Sequence, residues 1–115
     1  MSYEVNFYVS DDDESPVEEF LDRLDVAGRK KCLHFLELLR QQGLELGEPY
    51  CKCLQGTRVW ELRPECRRVQ YRILYGRTGV RSFTAVHIFQ KRGEKHKYDP
   101  EIAIAEARLT ELEGE

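Results

Sequence analysis

Tyr3, Val5, Phe7 and Val9 alternate with Glu4, Asn6 and Tyr8, the two-residue period of a strand. Asp11-Asp12-Asp13-Glu14 is too polar to bury and ends that run. Ser15-Pro16-Val17-Glu18 then carries the marks of a helix start: a capping serine, a proline at the first helical position and a capping-box glutamate. The spacing of Val17, Phe20, Leu21 and Leu24 predicts a short amphipathic helix to about Leu24. Asp25 can cap a second helix from about Val26 to Gln42, with Cys32, Leu33, Phe35, Leu36 and Leu39 as its apolar stripe and Gly43 as its stop. Together these two helices read as an α-hairpin.

Gly47, Pro49 and Gly56 mark an irregular stretch. Alternation returns at Arg58 to Arg63, with Trp60 and Leu62 opposite Val59, Glu61 and Arg63. It returns again at Val69 to Tyr75, with Val69, Tyr71, Ile73 and Tyr75 opposite Gln70, Arg72 and Leu74. Gly76-Arg77-Thr78-Gly79 has the composition of a hairpin turn, and Arg81 to about Gln90 is β-rich. Asp99-Pro100 caps a last helix whose face carries Ile102, Ala105, Leu109 and Leu112. The order β-α-α-β-β-β-α predicts an α+β fold: an N-terminal β-strand, an α-hairpin, an antiparallel β-meander and a C-terminal helix, with the helices packed on one face of the sheet.

Length and composition set the frame for function. One domain over residues 1–115 is expected from 115 residues. With 41% hydrophobic and 34% charged residues the chain reads as globular rather than disordered. No apolar run reaches the roughly 20 residues that span a bilayer, and the start lacks a signal-peptide pattern, so a cytoplasmic protein with no membrane partner is expected. Cys32, Cys51, Cys53 and Cys66 lack the paired spacing of a zinc site; small buried thiols are expected for most of them, and no metal or other cofactor is implied.

The net charge of −3 hides an asymmetry. Residues 1–25 hold one basic and nine acidic side chains, and residues 98–115 hold one and six. Residues 58–97 hold eleven basic and three acidic ones. A basic middle can present a positive face to a polyanion although the total is negative.

The chemistry-bearing residues lie in that basic middle. Glu61 and Arg63 share a strand face, and Arg72 sits mid-strand on the next. Lys91-Arg92-Gly93-Glu94-Lys95-His96-Lys97-Tyr98 follows the last strand. Arginine holds phosphate bidentately and stabilises charge that develops there. His87 and His96 need little shift to act as acid or base, and cations near Tyr98 should lower the pKa of its hydroxyl. Such a set without metal suits RNA cleavage by the 2′-hydroxyl. Plainer roles stand beside these: Arg63 and Arg72 as cross-strand partners of Glu61 or Glu65, Tyr98 as a helix-entry residue packed on the sheet, His87 as a half-buried sheet residue, and His96 as an exposed loop residue.

The chain resembles the RelE/ParE toxin superfamily of type II toxin–antitoxin systems, in its phage-derived HigB-like branch. The residues that carry the resemblance are Leu54-x-Gly56, Val59-Trp60-Glu61-Leu62-Arg63, Tyr71-Arg72-Ile73-Leu74-Tyr75, His87-Ile88-Phe89-Gln90-Lys91-Arg92 and Asp99-Pro100-Glu101-Ile102, with Ala105 and Arg108. The likeness runs roughly from Ser15 to Leu112. It implies a RelE-like fold and a metal-independent, ribosome-dependent mRNA endonuclease that cuts in the A site and leaves a 2′,3′-cyclic phosphate. A cognate antitoxin would be its protein partner, in a toxin–antitoxin hetero-oligomer. By the residue match, Arg72 and Arg92 would hold the phosphate and Tyr98 would be the base or its orienter, with His96 a rival base. Arg63, Lys91, Lys95 and Lys97 would contact RNA. Two other classes compete: a gyrase inhibitor of the ParE type, and an inactive module that only binds an antitoxin for autoregulation.

Overall fold

The computed structural model describes residues 2–114. Strand β1 (Glu4–Phe7) leads into helices α1 (Pro16–Arg23) and α2 (Val26–Gln42). A short 3-10 turn at Gly43–Glu45 follows, then strands β2 (Cys51–Cys53), β3 (Trp60–Leu62), β4 (Glu65–Cys66), β5 (Val69–Gly79) and β6 (Ser82–Gln90), and helix α3 (Asp99–Glu113). The sheet runs β1-β6-β5-β3-β2, with β4 paired to the start of β5. As the α+β reading expects, β3, β5 and β6 form an antiparallel meander. Strand β1 returns beside β6 in parallel, which the intervening helical hairpin allows.

The helical segments form where the apolar spacing places them, but their ends differ in detail. The Asp25 carboxylate accepts from the Gly28 amide at 2.8 Å, which stabilises α2 by about 1 kcal/mol. Gly43 ends α2 with φ of 52°, and the Tyr3 ring packs where a side chain would stand. Ser15 has the backbone of an N-cap but its hydroxyl makes no capping bond, so the expected capping box does not form. The N-cap of α3 is Tyr98 rather than Asp99, which is already helical with Pro100. In α2, Cys32, Phe35, Leu36 and Leu39 are buried, whereas Leu33 is 46% exposed and lies off the stripe.

The layering departs from the expected one-sided arrangement. Helices α1 and α2 cover one sheet face, packing Val17, Leu21, Leu36 and Leu39 against Leu62, Tyr71, Ile73, Tyr75, Phe83 and Ile88. Helix α3 covers the opposite face, where Ala105 and Leu109 meet Tyr8, Val59, Leu74, Val86 and Phe89. The strands are apolar on both faces because both faces are covered. Tyr8, assigned by alternation to the polar side of the first strand, is therefore buried, and its hydroxyl bonds Glu111.

The hairpin between β5 and β6 turns at Val80-Arg81, not at Gly76–Gly79. Gly76 stays in the strand, directly under Leu109; a Cβ there would lie 2.7 Å from a Leu109 methyl. Its glycine serves close helix approach rather than a turn. A second irregularity leaves Val86 without a register partner between the Leu74–His87 and Tyr75–Ala85 pairs. This bulge puts Val86 and His87 on the α3 side in succession, while Ala85 and Ile88 stay on the other. The Cys51–Cys53 strand falls in the stretch that reads as irregular; Cys32 and Cys51 are buried, and Cys53 is exposed. No helix among the described residues is long and apolar enough to cross a membrane.

The substitution Gly76→Ala tests the packing role of that glycine. The added methyl must displace Leu109, so unfolding free energy should fall by about 1–3 kcal/mol in a denaturant titration. A turn-type glycine left open to solvent would show no comparable loss.

Candidate functional site

Alternation on β3 and β5 turns Glu61 and Arg72 toward the α3 side, where the start of α3 and the loop before it close over them. Both are buried, Glu61 at 4% and Arg72 at 3% exposure. The Glu61 carboxylate lies 3.5 Å from Arg72 Nε and 3.7 Å from Arg63 Nε. Arg72 Nη1 donates to the Tyr71 carbonyl at 2.8 Å, and Nη2 donates to Gln70 Oε1 at 2.8 Å. Tyr98 stands within range of both charges. Glu61 Oε1, Arg63 Nε and Arg72 Nε form ion-pair contacts without a proper hydrogen bond.

Above this pair lies an aromatic cluster. Phe89 faces Arg72 across the β5–β6 ladder. Its ring packs edge-on against Tyr98 at 5.1 Å and at a tilt against His96 at 5.2 Å, and His96 also meets Tyr98 at 5.7 Å. His96 is thus partly buried, not exposed as its place between two lysines suggests. Burial raises the Tyr98 pKa, and the Glu61 carboxylate adds to this; the guanidiniums of Arg72 and Arg63 oppose them without prevailing. The expected lowering by neighbouring cations does not occur, and Tyr98 stays a hydroxyl donor at neutral pH.

Glu101, in the first turn of α3, joins two histidines that the sequence leaves unconnected. His87 Nε2 lies 2.8 Å from Glu101 Oε1, and His96 Nε2 lies 3.1 Å from Oε2. The Arg92 amide donates to His96 Nδ1 at 2.9 Å. That donor fixes the tautomer: Nδ1 is the bare nitrogen, and Nε2 carries the proton that Glu101 accepts. Burial lowers the His87 pKa against the pull of Glu101, with Arg108 adding to the lowering. Burial would raise Glu101, but the imidazole bonds outweigh it and hold the carboxyl below its usual range. An acidic residue five positions after a histidine at a helix start was the available signal; the bulge that brings in His87 leaves no such trace.

The structure therefore gathers Arg63, Arg72, Tyr98 and His96. It does not bring the Arg92 side chain to them: that side chain is exposed, and only the Arg92 amide takes part. Lys95 and Lys97 are exposed on the same loop, and Lys91 is half-buried at its root. Arg72 takes Glu61 across the β3–β5 pair, Arg63 takes the same carboxylate from two residues along the chain, and neither takes Glu65. The site is a face rather than a pocket. A groove of about 360 Å³ between Trp60, Gly76, Leu109 and Leu112 contains none of its residues.

The His87 environment predicts a pH effect on stability. His87 binds its proton less readily in the folded chain than in the unfolded one, so the unfolded state takes up protons first on acidification. Stability should be retained above about pH 6.5 and fall as the pH drops below it. Denaturant midpoints between pH 7.5 and 5.5 should show that slope in the wild type and a flatter one in His87→Gln.

No curated protein matches the chain. A family model described as phage-derived protein Gp49-like (DUF891) matches residues 19–110, from within α1 to near the end of α3. That span includes every residue of the site and most of the domain that carries it, and the chain belongs to the phage-derived Gp49-like family.

Proposed function

We propose that this chain is the toxin of a type II toxin–antitoxin system and cuts mRNA in the ribosomal A site. Membership of the phage-derived Gp49-like family is consistent with a toxin, and the chemistry of the face supports the finer reading. The observation that carries it is the meeting of a half-exposed guanidinium, a neutral tyrosine hydroxyl and a neutral imidazole beside a basic loop. In-line attack by a 2′-hydroxyl needs those three functions: charge stabilisation at phosphorus, an acid and a base.

Arg63, together with the loop cations Lys91, Arg92, Lys95 and Lys97, holds the RNA phosphates. His96 Nδ1 takes the 2′-hydroxyl proton once the loop releases the Arg92 amide from it. The 2′-oxygen bonds to phosphorus and the bond to the 5′-oxygen breaks. Tyr98 gives its proton to that oxygen, and a 2′,3′-cyclic phosphate remains. Exchange with water restores both side chains. The partner in the resting state is the cognate antitoxin, which would cover this face.

The test is induction of the chain alone in bacteria, with 5′-end mapping on translated and untranslated copies of one message. Growth arrest with new ends only in the translated copy is expected. Tyr98→Phe should slow cutting about 10²–10⁴-fold with folding intact. Arrest without cuts, or no arrest, contradicts the nuclease reading.

A further inference from the structure

The two arginines beside Glu61 face opposite ways. Arg72 turns its guanidinium inward, with Nε toward Glu61, Nη1 on the Tyr71 carbonyl and Nη2 on Gln70, and it is 3% exposed. A phosphate could reach it only after Tyr98 and Phe89 had moved and those contacts had broken. Arg63 meets Glu61 through its inner Nε edge, and its side chain is 34% exposed. Among the described residues its two Nη groups make no hydrogen bond, so the outer edge is free for two parallel bonds to phosphate oxygens.

We propose that Arg63 is the guanidinium that meets the scissile phosphate, and that Glu61 and Arg72 are positioning residues beneath it that touch no substrate. This rests on the RNA-cleaving reading above and separates the roles of the two arginines within it. Two guanidiniums side by side repel, and the Glu61 carboxylate between their Nε atoms offsets that repulsion. It also fixes which edge of Arg63 faces solvent. Arg72 in turn supplies the charge that lets a carboxylate stay buried behind a phosphate site. Without Arg72, Glu61 would keep only Arg63 as a partner, whose charge it would share with an anionic substrate.

The two roles separate under the same conservative change. Lysine keeps a charge but loses the planar fork. In a purified translation system, with cut ends counted on a translated message, Arg72→Lys should cleave within about threefold of wild type, and Arg63→Lys should lose about tenfold or more. Circular dichroism melts establish that each variant is folded. If Arg72→Lys does not fold, Glu61→Gln/Arg72→Met decides instead. It leaves no unpaired charge and keeps an acceptor behind Arg63, and cleavage within about tenfold of wild type is expected.

Loss in the Arg72→Lys variant as deep as in Arg63→Lys overturns the assignment, as does an Arg63→Lys variant that keeps full activity. A folded double variant with no cleavage overturns it too. A wild-type chain that leaves the translated message intact removes the RNA-cleaving reading, and the assignment with it.

Discussion

A carboxylate and a guanidinium stand inside the apolar layer between the sheet and α3, and the arrangement around them follows from keeping them paired. Taking either charge out of water is costly, and removing one partner alone would cost about 3–5 kcal/mol. The sheet meets this constraint by register. Leu74 lies opposite Glu61 and Phe89 opposite Arg72, so the pair is set among apolar neighbours on adjacent strands. Gln70 and the Tyr71 carbonyl each take one Nη donor of Arg72. Tyr98, at the entry of α3, then closes over the pair, and the basic loop that leads to it is held at the sheet edge.

The second device is the bulge at Val86. It lets one strand serve two layers of different shape, with Ala85 and Ile88 toward the α-hairpin and Val86, His87 and Phe89 toward α3. It also moves His87 within reach of Glu101, which links the last strand, the loop histidine and the first turn of α3. The loop holding four basic side chains is thereby tied at three points: the Lys91 amide to the Gln70 carbonyl, the Arg92 amide to His96, and His96 to Glu101. A mobile cationic loop binds polyanions without selection; a tied one presents its charges in fixed places.

Features set by local patterning were legible in the sequence. The three helices, the β1 alternation, the stop at Gly43 and the meander of β3, β5 and β6 all follow from period and punctuation. Features set by tertiary contact were not. Gly76 reads as turn punctuation, yet its role is to admit Leu109 from a segment more than thirty positions away. Tyr8 falls on the polar side of the first-strand period but is buried, because α3 covers that face, whereas Leu33 fits the helical spacing of α2 and is exposed. At the site, Arg63, Arg72, Tyr98 and His96 were identifiable by type and position. The burial of Arg72, the raised Tyr98 hydroxyl and the His87–Glu101–His96 chain depend on how two distant segments meet.

The most direct measurement is a structure of the chain bound to a ribosome carrying an mRNA that bears a 2′-O-methyl group at the A-site codon, which blocks attack. The account requires the scissile phosphate on the outer edge of Arg63, within hydrogen-bond distance of both Nη groups, with Arg72 still buried against Glu61. A phosphate held by Arg72, or a message bound on any face other than that of Arg63, Tyr98 and His96, would contradict it.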